Sequence, residues 1–395
     1  MKYLEQTWRW YGPDDPITLK EIRQTGATGI VTALHHIPVG DTWPIEEIQK
    51  RKKLIEDAGL RWSVVESVNV HDEIKAAGPN RQQYIKNYKE TIHNLGQSDV
   101  RIVCYNFMPA LDWTRTNLNL ELSSGAIALD FDYVDAIVFD RFILKREGSE
   151  GDYLAEQIEQ ASIRQESMTD EQISALSRTI LQGLPGGARG FTMEEFEISL
   201  RSFQDVDADR MRENLGAFLT EVVPVAEHEG VKLAIHPDDP PFSLFGLARV
   251  VSTEQDLAGL LKVIDSPANG LCFCTGSLGA RSENDVTRMA MRFAGRINFV
   301  HLRNVQIRNV RSFHESDHLE GSVDMFEIVR QLSIEQQQRD SSIPYRPDHG
   351  HILLDDVKRK TNPGYPLIGR MKGLAELRGL EMAIVRSISN ENKLI

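Results

Sequence analysis

The sequence predicts an α/β protein built as a (β/α)8, or TIM, barrel with a long insertion after its fourth strand. Three observations carry that prediction. Short apolar runs alternate with helical patterns over most of the chain, as parallel β–α units require. Eight such runs are separated by helices or long connections. The last four each end in a residue able to bind a metal, and a barrel gathers such strand ends on one face. A doubly wound open sheet is the alternative, but no glycine-rich dinucleotide fingerprint follows the early strands.

The first run is Trp8–Arg9–Trp10–Tyr11 and the second is Gly29 to Leu34. A helix from Pro44 to Ala58 follows, with proline near its start and Gly59 just past its end. Trp62 to Glu66 reads as the third strand. Ile85, Tyr88, Ile92 and Leu95 recur at helical spacing, and Gly96 is expected to stop that helix. Val100 to Tyr105 is the fourth strand. The alternation then breaks from Asn117 to Asp209, a polar, irregular stretch. It holds the strand-like SSGAIALDFD, a charged helical segment around Glu156–Ser177 and the glycine-rich LPGGARG. The expected organisation is one barrel domain over 1–395, with 117–209 as an inserted helical and hairpin subdomain. A helix over Met211–His228 resumes the pattern. The remaining strands are Lys232–His236, Gly270–Cys274, Ile297–His301 and Ile343–Arg346, the last leading into Asp348.

A chain of 395 residues suits one large domain with an insertion, or two domains. Its 41% hydrophobic and 26% charged residues are ordinary for a globular protein. A formal net charge of −13 argues against a nucleic-acid partner, which needs clustered cations, but leaves room for a small anionic substrate. The N-terminal MKYLEQTWRWYG lacks the apolar segment of a signal peptide, and no long apolar run predicts a membrane span. Cys272 and Cys274 lie two apart in an apolar run. That places their Cα atoms about 6.6 Å apart along a strand, a poor disulfide geometry. A cytoplasmic protein is expected.

His236, Cys274, His301 and Asp348 are the four strand-end residues. Singly, each has a plainer reading: a rim histidine, a buried apolar cysteine, a turn aspartate. Their recurrence on four consecutive strands points to a shared metal site. Cys272 shares a face with Cys274 but lies one layer deeper, so Cys274 is the expected ligand. Two nitrogens, one oxygen and one sulfur suit Zn²⁺ well, and Fe²⁺ or Mn²⁺ less obviously. Other rim candidates are His36 in HHIP after the second strand and Asn106 after the fourth. Arg303, on the face of His301, is placed to meet a substrate carboxylate.

The stretches WRWYGPDDP, GIVTALHHIP, YNFMPALDWTRT, AIHPDDPP, CTGSLG, FVHLRN and YRPDHGH…NPGYPLIGR together resemble the mannonate dehydratase family. The matching motifs run from residue 8 to about 370. The resemblance implies a barrel of the xylose-isomerase-like type and dehydration of D-mannonate to 2-dehydro-3-deoxy-D-gluconate in hexuronate breakdown. It implies Mn²⁺ or Fe²⁺ in place of zinc, metal positions at His236, Cys274, His301 and Asp348, and acid–base positions at His349 and Tyr365. A packed turn residue is the plainer reading of Tyr365. No nucleotide cofactor is required, because the enol product tautomerises to a keto acid without redox chemistry. The expected partners are a sugar acid and further copies of the chain, as a homodimer or larger homo-oligomer. A sugar isomerase on the same barrel and an inactive binding barrel are the rival readings.

Within RPDHGH, residues 346–351, the strand is expected to end at Asp348. Gly350 would then allow an immediate turn that swings His349 over the rim, leaving His351 a structural role.

Overall fold

A computed structural model describes residues 1–183 and 190–391. Twelve strands appear among them: β1 (Glu5–Arg9), β2 (Gly29–Thr32), β3 (Arg61–Glu66), β4 (Ile102–Tyr105), β5 (Asn117–Glu121), β6 (Ile127–Phe131), β7 (Lys232–Ile235), β8 (Asn269–Cys274), β9 (Ile297–His301), β10 (Val305–Asn309), β11 (Ser312–Glu315) and β12 (Pro344–Arg346). Eight of them close into a parallel barrel in the order β1-β2-β3-β4-β7-β8-β9-β12. The barrel closes where Glu5 and Gln6 of β1 pair with Pro344 and Tyr345 of β12. All eight runs expected to be barrel strands contribute one. They are legible because strands covered on both faces read as continuous apolar runs.

Side chains alternate between two cores. Val31, Val64, Cys104, Ala234, Cys272 and Phe299, one from each of six strands, form a small buried cluster of their own. Their neighbours on the same strands, such as Ile30, Val65 and Val300, belong to the large cluster beneath the surrounding helices. Cys272 therefore lies in the barrel interior, below the end of β8, and fills space there.

The insertion and the segment after β9 build a second sheet. β5, β6, β10 and β11 pair antiparallel in the order β10-β11-β6-β5. β6 falls within SSGAIALDFD, as expected, whereas the hairpin β10–β11 had no counterpart in the sequence reading. Phe131, Phe139, Phe242 and Phe313 are among the buried residues that weld this sheet to the inserted helices.

Several boundaries differ from expectation. The charged segment around Glu156–Ser177 is two helices, Ala155–Ser167 and Asp170–Leu181, because Thr169 makes a capping box with Gln172 that starts the second. Gly96 does not stop its helix, which runs from Arg81 to Gln97. Its missing side chain instead lets the helix approach Glu229, whose Cβ would lie 2.7 Å from an added methyl. LPGGARG, apart from Gly190, lies outside the described residues. Among those residues no helix is long and apolar enough to cross a membrane.

The loop after β12 is held by the C-terminal helix, Leu367–Glu391. Asp356 caps that helix by accepting from the backbone N–H groups of Leu367, Ile368 and Gly369 at 3.0–3.1 Å. Backbone meets backbone at this junction. A Cβ on Gly350 would lie 2.6 Å from the Arg370 nitrogen, and one on Gly369 only 1.9 Å from the His351 carbonyl oxygen. Gly369→Ala must push the RPDHGH loop off the helix. We expect it to destabilise the fold by about 1–3 kcal/mol, the usual cost of overpacking. A thermal melt equal to wild type would contradict this packing.

Candidate active site

A cavity lies at the barrel's C-terminal rim. His236, Asn106, Arg303, Asp348, His349 and Tyr365 all line it, together with Glu66, Asp239 and Arg346. Six of the nine residues named from sequence thus meet there, and Cys274 and His301 are buried against them.

The metal-capable trio is compact. One ligand atom each from His236, Cys274 and His301 falls within 4.8 Å of the others. His236 lies just past β7, and its backbone N–H bonds the Tyr105 carbonyl oxygen at 2.7 Å. Its Nδ1 sits 2.6 Å from the carbonyl oxygen of Pro237. That acceptor fixes the ring proton on Nδ1 and leaves the Nε2 lone pair facing His301 Nδ1, 3.1 Å away. The Cys274 sulfur accepts from the Ser277 hydroxyl at 3.1 Å and has Arg303 Nη1 at 3.8 Å. Asp348 stands beside this trio, with Oδ2 3.7 Å from His301 Nδ1. Two imidazoles, a thiol and a carboxylate in such proximity fit a divalent cation. Cys272 does not compete, because burial and the neighbouring Cys104 push its thiol pKa well above the ordinary value.

Two ion-pair systems brace these donors. In the first, Arg115 bonds Asp239 through two nitrogens at 2.7 and 3.2 Å and Glu315 through Nη2 at 2.9 Å. Arg303 bonds the same two carboxylates, Asp239 at 2.6 Å and Glu315 at 2.7 Å. The result is a closed ring of two guanidiniums and two carboxylates, all buried. Arg303 therefore has Nε and Nη1 committed, while its buried Nη2 meets no acceptor. Only that edge remains to meet a substrate. In the second system, Arg346 joins Asp348 to Glu66, donates to His301 Nε2 at 3.1 Å, and shares Glu66 with Arg9. Burial raises the Asp348 pKa, but Arg346, His349, His301 and Arg303 outweigh it and hold the carboxyl well below the usual range.

The RPDHGH turn is made two residues earlier than expected, because the strand ends at Arg346 and not at Asp348. Asp348 itself adopts φ 61°, so the chain turns there and Gly350 serves for close packing. His349 consequently faces the same cavity as Asp348. Its Nδ1 lies 3.1 Å from Glu315 Oε1, and its ring packs edge-on against Tyr365 and Trp113. The Tyr365 hydroxyl donates to Asp348 at 3.4 Å, and burial with the Asp348 charge raises its pKa to about 12. His351 bonds the Glu315 backbone carbonyl at 2.9 Å, a structural contact.

His36 stands apart from this cavity. It is exposed and pairs with Glu47 at 3.0 Å on the helix Ile45–Asp57, because the chain turns just after β2. Its neighbour His35, also exposed, lies 3.5 Å from Arg9 Nη2. Sequence reasoning missed Glu66, Asp239 and Glu315. For Asp239 a signal existed, since HPDDPP follows a barrel strand with two carboxylates and three prolines.

Comparison with known proteins bears on the family and the fold. The family model described as D-mannonate dehydratase (UxuA) matches residues 4–391. The mannonate dehydratase of Chromohalobacter salexigens is 52% identical over 386 residues, covering 96% of this chain and 99% of that protein. The crystal structure of the mannonate dehydratase from Streptococcus suis serotype 2 superposes with a TM-score of 0.76 at 34% identity, covering 98% of this chain and 95% of that one. A xylose isomerase-like TIM barrel protein from Mycobacterium smegmatis shares the fold, with a TM-score of 0.51 at 14% identity over 97% of this chain and 98% of that one.

The ring makes a pH-dependent prediction. Burial raises the Glu315 pKa, but Arg303, His349 and Arg115 together lower it to about 2, against an ordinary 4.5. Its contribution to stability is complete above pH 4.5 and is lost as pH falls through about 2. Glu315→Gln leaves two buried guanidiniums short of charge, a loss of about 3–5 kcal/mol at neutral pH. In urea unfolding, the gap between wild type and variant should close as pH falls from 4.5 towards 2. A gap independent of pH would show that Glu315 is not held as an ion.

Proposed function

This chain belongs to the D-mannonate dehydratase family, and we propose that His236, Cys274, His301 and Asp348 hold its metal while His349 and Tyr365 move the protons. The reaction is the dehydration of D-mannonate to 2-dehydro-3-deoxy-D-gluconate and water, a step of hexuronate breakdown. It removes the proton on carbon 2 and the hydroxyl on carbon 3, and the enol so formed tautomerises to the keto acid. A divalent metal supplies Lewis-acid stabilisation of the negative charge that builds on the carboxylate side. The donor set, with only one thiol, accommodates Mn²⁺ or Fe²⁺, the metals we assign.

The single observation that carries the proton assignment is the Glu315–His349 contact. Glu315 is an ionised, acceptor-only group, so the proton of a neutral His349 lies on Nδ1. Nε2 then keeps its lone pair and is the base for the carbon-2 proton, oriented as a carboxylate orients a catalytic histidine elsewhere. Tyr365 holds its proton beside the Asp348 carboxylate and is the acid for the departing hydroxyl. Asn106 and the free edge of Arg303 complete the substrate contacts at the rim. His36, exposed on its helix, keeps at most an outer role. We further assign residues 117–209 as a subdomain inserted in one barrel domain, and read the protein as cytoplasmic and homo-oligomeric, at least a dimer.

Two measurements test the site. His349→Asn should keep its bound metal and lose turnover of D-mannonate by about 10²–10⁴, the worth of one acid–base group. Near-normal formation of the keto acid would remove His349 from the reaction. Cys274→Ser should lower bound Mn²⁺ or Fe²⁺ far more than Cys272→Ser, since only Cys274 adjoins the two histidines. Equal metal content in the two purified variants would contradict the assignment.

A further inference from the structure

A second chamber adjoins the rim cavity. The two share Ser67 and Asp112, and the second is walled by Arg9, His35, Asn69 and His71. None of these side chains has a place in the chemistry described above. We propose that this chamber receives carbons 4 to 6 of the substrate and recognises their hydroxyls.

This placement of the substrate rests on the reaction assigned above. Charge builds on the carboxylate side, so that end of the substrate must face the metal donors. Carbons 2 and 3 then face His349 and Tyr365. The rest of a six-carbon acid must leave the rim cavity, and Ser67 and Asp112 mark the way into the chamber.

Its walls suit a polyol. The Ser67 hydroxyl donates to Asn69 Oδ1 at 2.7 Å, which orients the carboxamide and leaves its NH₂ as donor. His71 Nδ1 accepts from the Glu73 backbone N–H at 3.1 Å, which fixes the ring proton on Nε2. Burial lowers the His71 pKa, so its ring is a neutral donor–acceptor at pH 7. Arg9 is 3% exposed, and its Nε meets no acceptor. Asp41 and Asp112 add acceptors to the same wall. Alternating donors and acceptors match hydroxyls, which need both.

The chamber is also preformed. The His71 ring stacks on Tyr84 with centroids 3.7 Å apart and planes 9° from parallel. Gly40, at φ +92°, packs its backbone against that stack, where a Cβ would lie 2.5 Å from the Tyr84 ring. Its carbonyl accepts from Asn87 Nδ2 at 2.9 Å.

The test compares two substrates on the full-length, metal-loaded protein. L-erythronate keeps the D-mannonate configuration at carbons 2 and 3 but lacks carbons 5 and 6. Asn69→Ala should lower kcat/KM for D-mannonate by about tenfold, the worth of one good hydrogen bond, and for L-erythronate by less than about threefold. His71→Phe keeps the stack on Tyr84, removes the donor, and should repeat the pattern. If the wild type does not turn over L-erythronate, its inhibition constant against D-mannonate replaces kcat/KM. Equal losses for both acids would overturn the proposal. A wild type that dehydrates no D-mannonate would instead overturn the reaction on which it rests, and that measurement comes first.

Discussion

Everything at the rim leans on the ring formed by Arg115, Asp239, Arg303 and Glu315. Its members come from four separate places: after β4, after β7, after β9 and the end of β11. Each guanidinium bonds both carboxylates, so no charge in the ring is left without a counter-charge. Buried ions are costly unless paired in this way, and removing one strands the others. The ring therefore tolerates little movement between the barrel and the second sheet, which is joined to it through Glu315. The residues proposed as metal donors and proton groups inherit that rigidity. Arg303 reaches Cys274 and Asp348, and Glu315 sets the tautomer of His349.

The second ion-pair system works from the opposite side. Glu66, at the end of β3, joins Arg9 and Arg346, and Arg346 joins Asp348. Asp348 thus stands between two guanidiniums, Arg346 and Arg303. A carboxylate so placed stays ionised through the neutral range, as a hard cation requires of its ligand. Tyr365 responds in the opposite sense, since the adjacent anion and burial keep its proton on. One charge arrangement therefore suits the roles proposed for the pair, a ligand and an acid side by side.

The barrel was legible in the sequence because its strands are apolar on both faces and its helices have clear ends, as with Pro44 and Gly59. The meeting of His236, Cys274, His301 and Asp348 at the rim was legible because they recur at strand ends, where a barrel converges. Glu315 was not, because it belongs to a hairpin whose first strand, Val305–Asn309, is mostly exposed and shows no apolar run. Its partner Arg115 lies 200 residues away in the chain. The turn at Asp348 carried no signal either, since glycine, not aspartate, marks left-handed backbone. HHIP announced a rim turn, but that His35 stands near Arg9 while His36 pairs with Glu47 depends on backbone geometry that residue types do not encode.

The most direct test of this account is an anomalous difference map from a crystal grown with Mn²⁺ and D-mannonate. The account predicts one peak, about 2.0–2.4 Å from ligand atoms of His236, Cys274, His301 and Asp348, with His349 and Tyr365 against carbons 2 and 3. A peak elsewhere on the rim, or one lacking two of those four ligands, would contradict it.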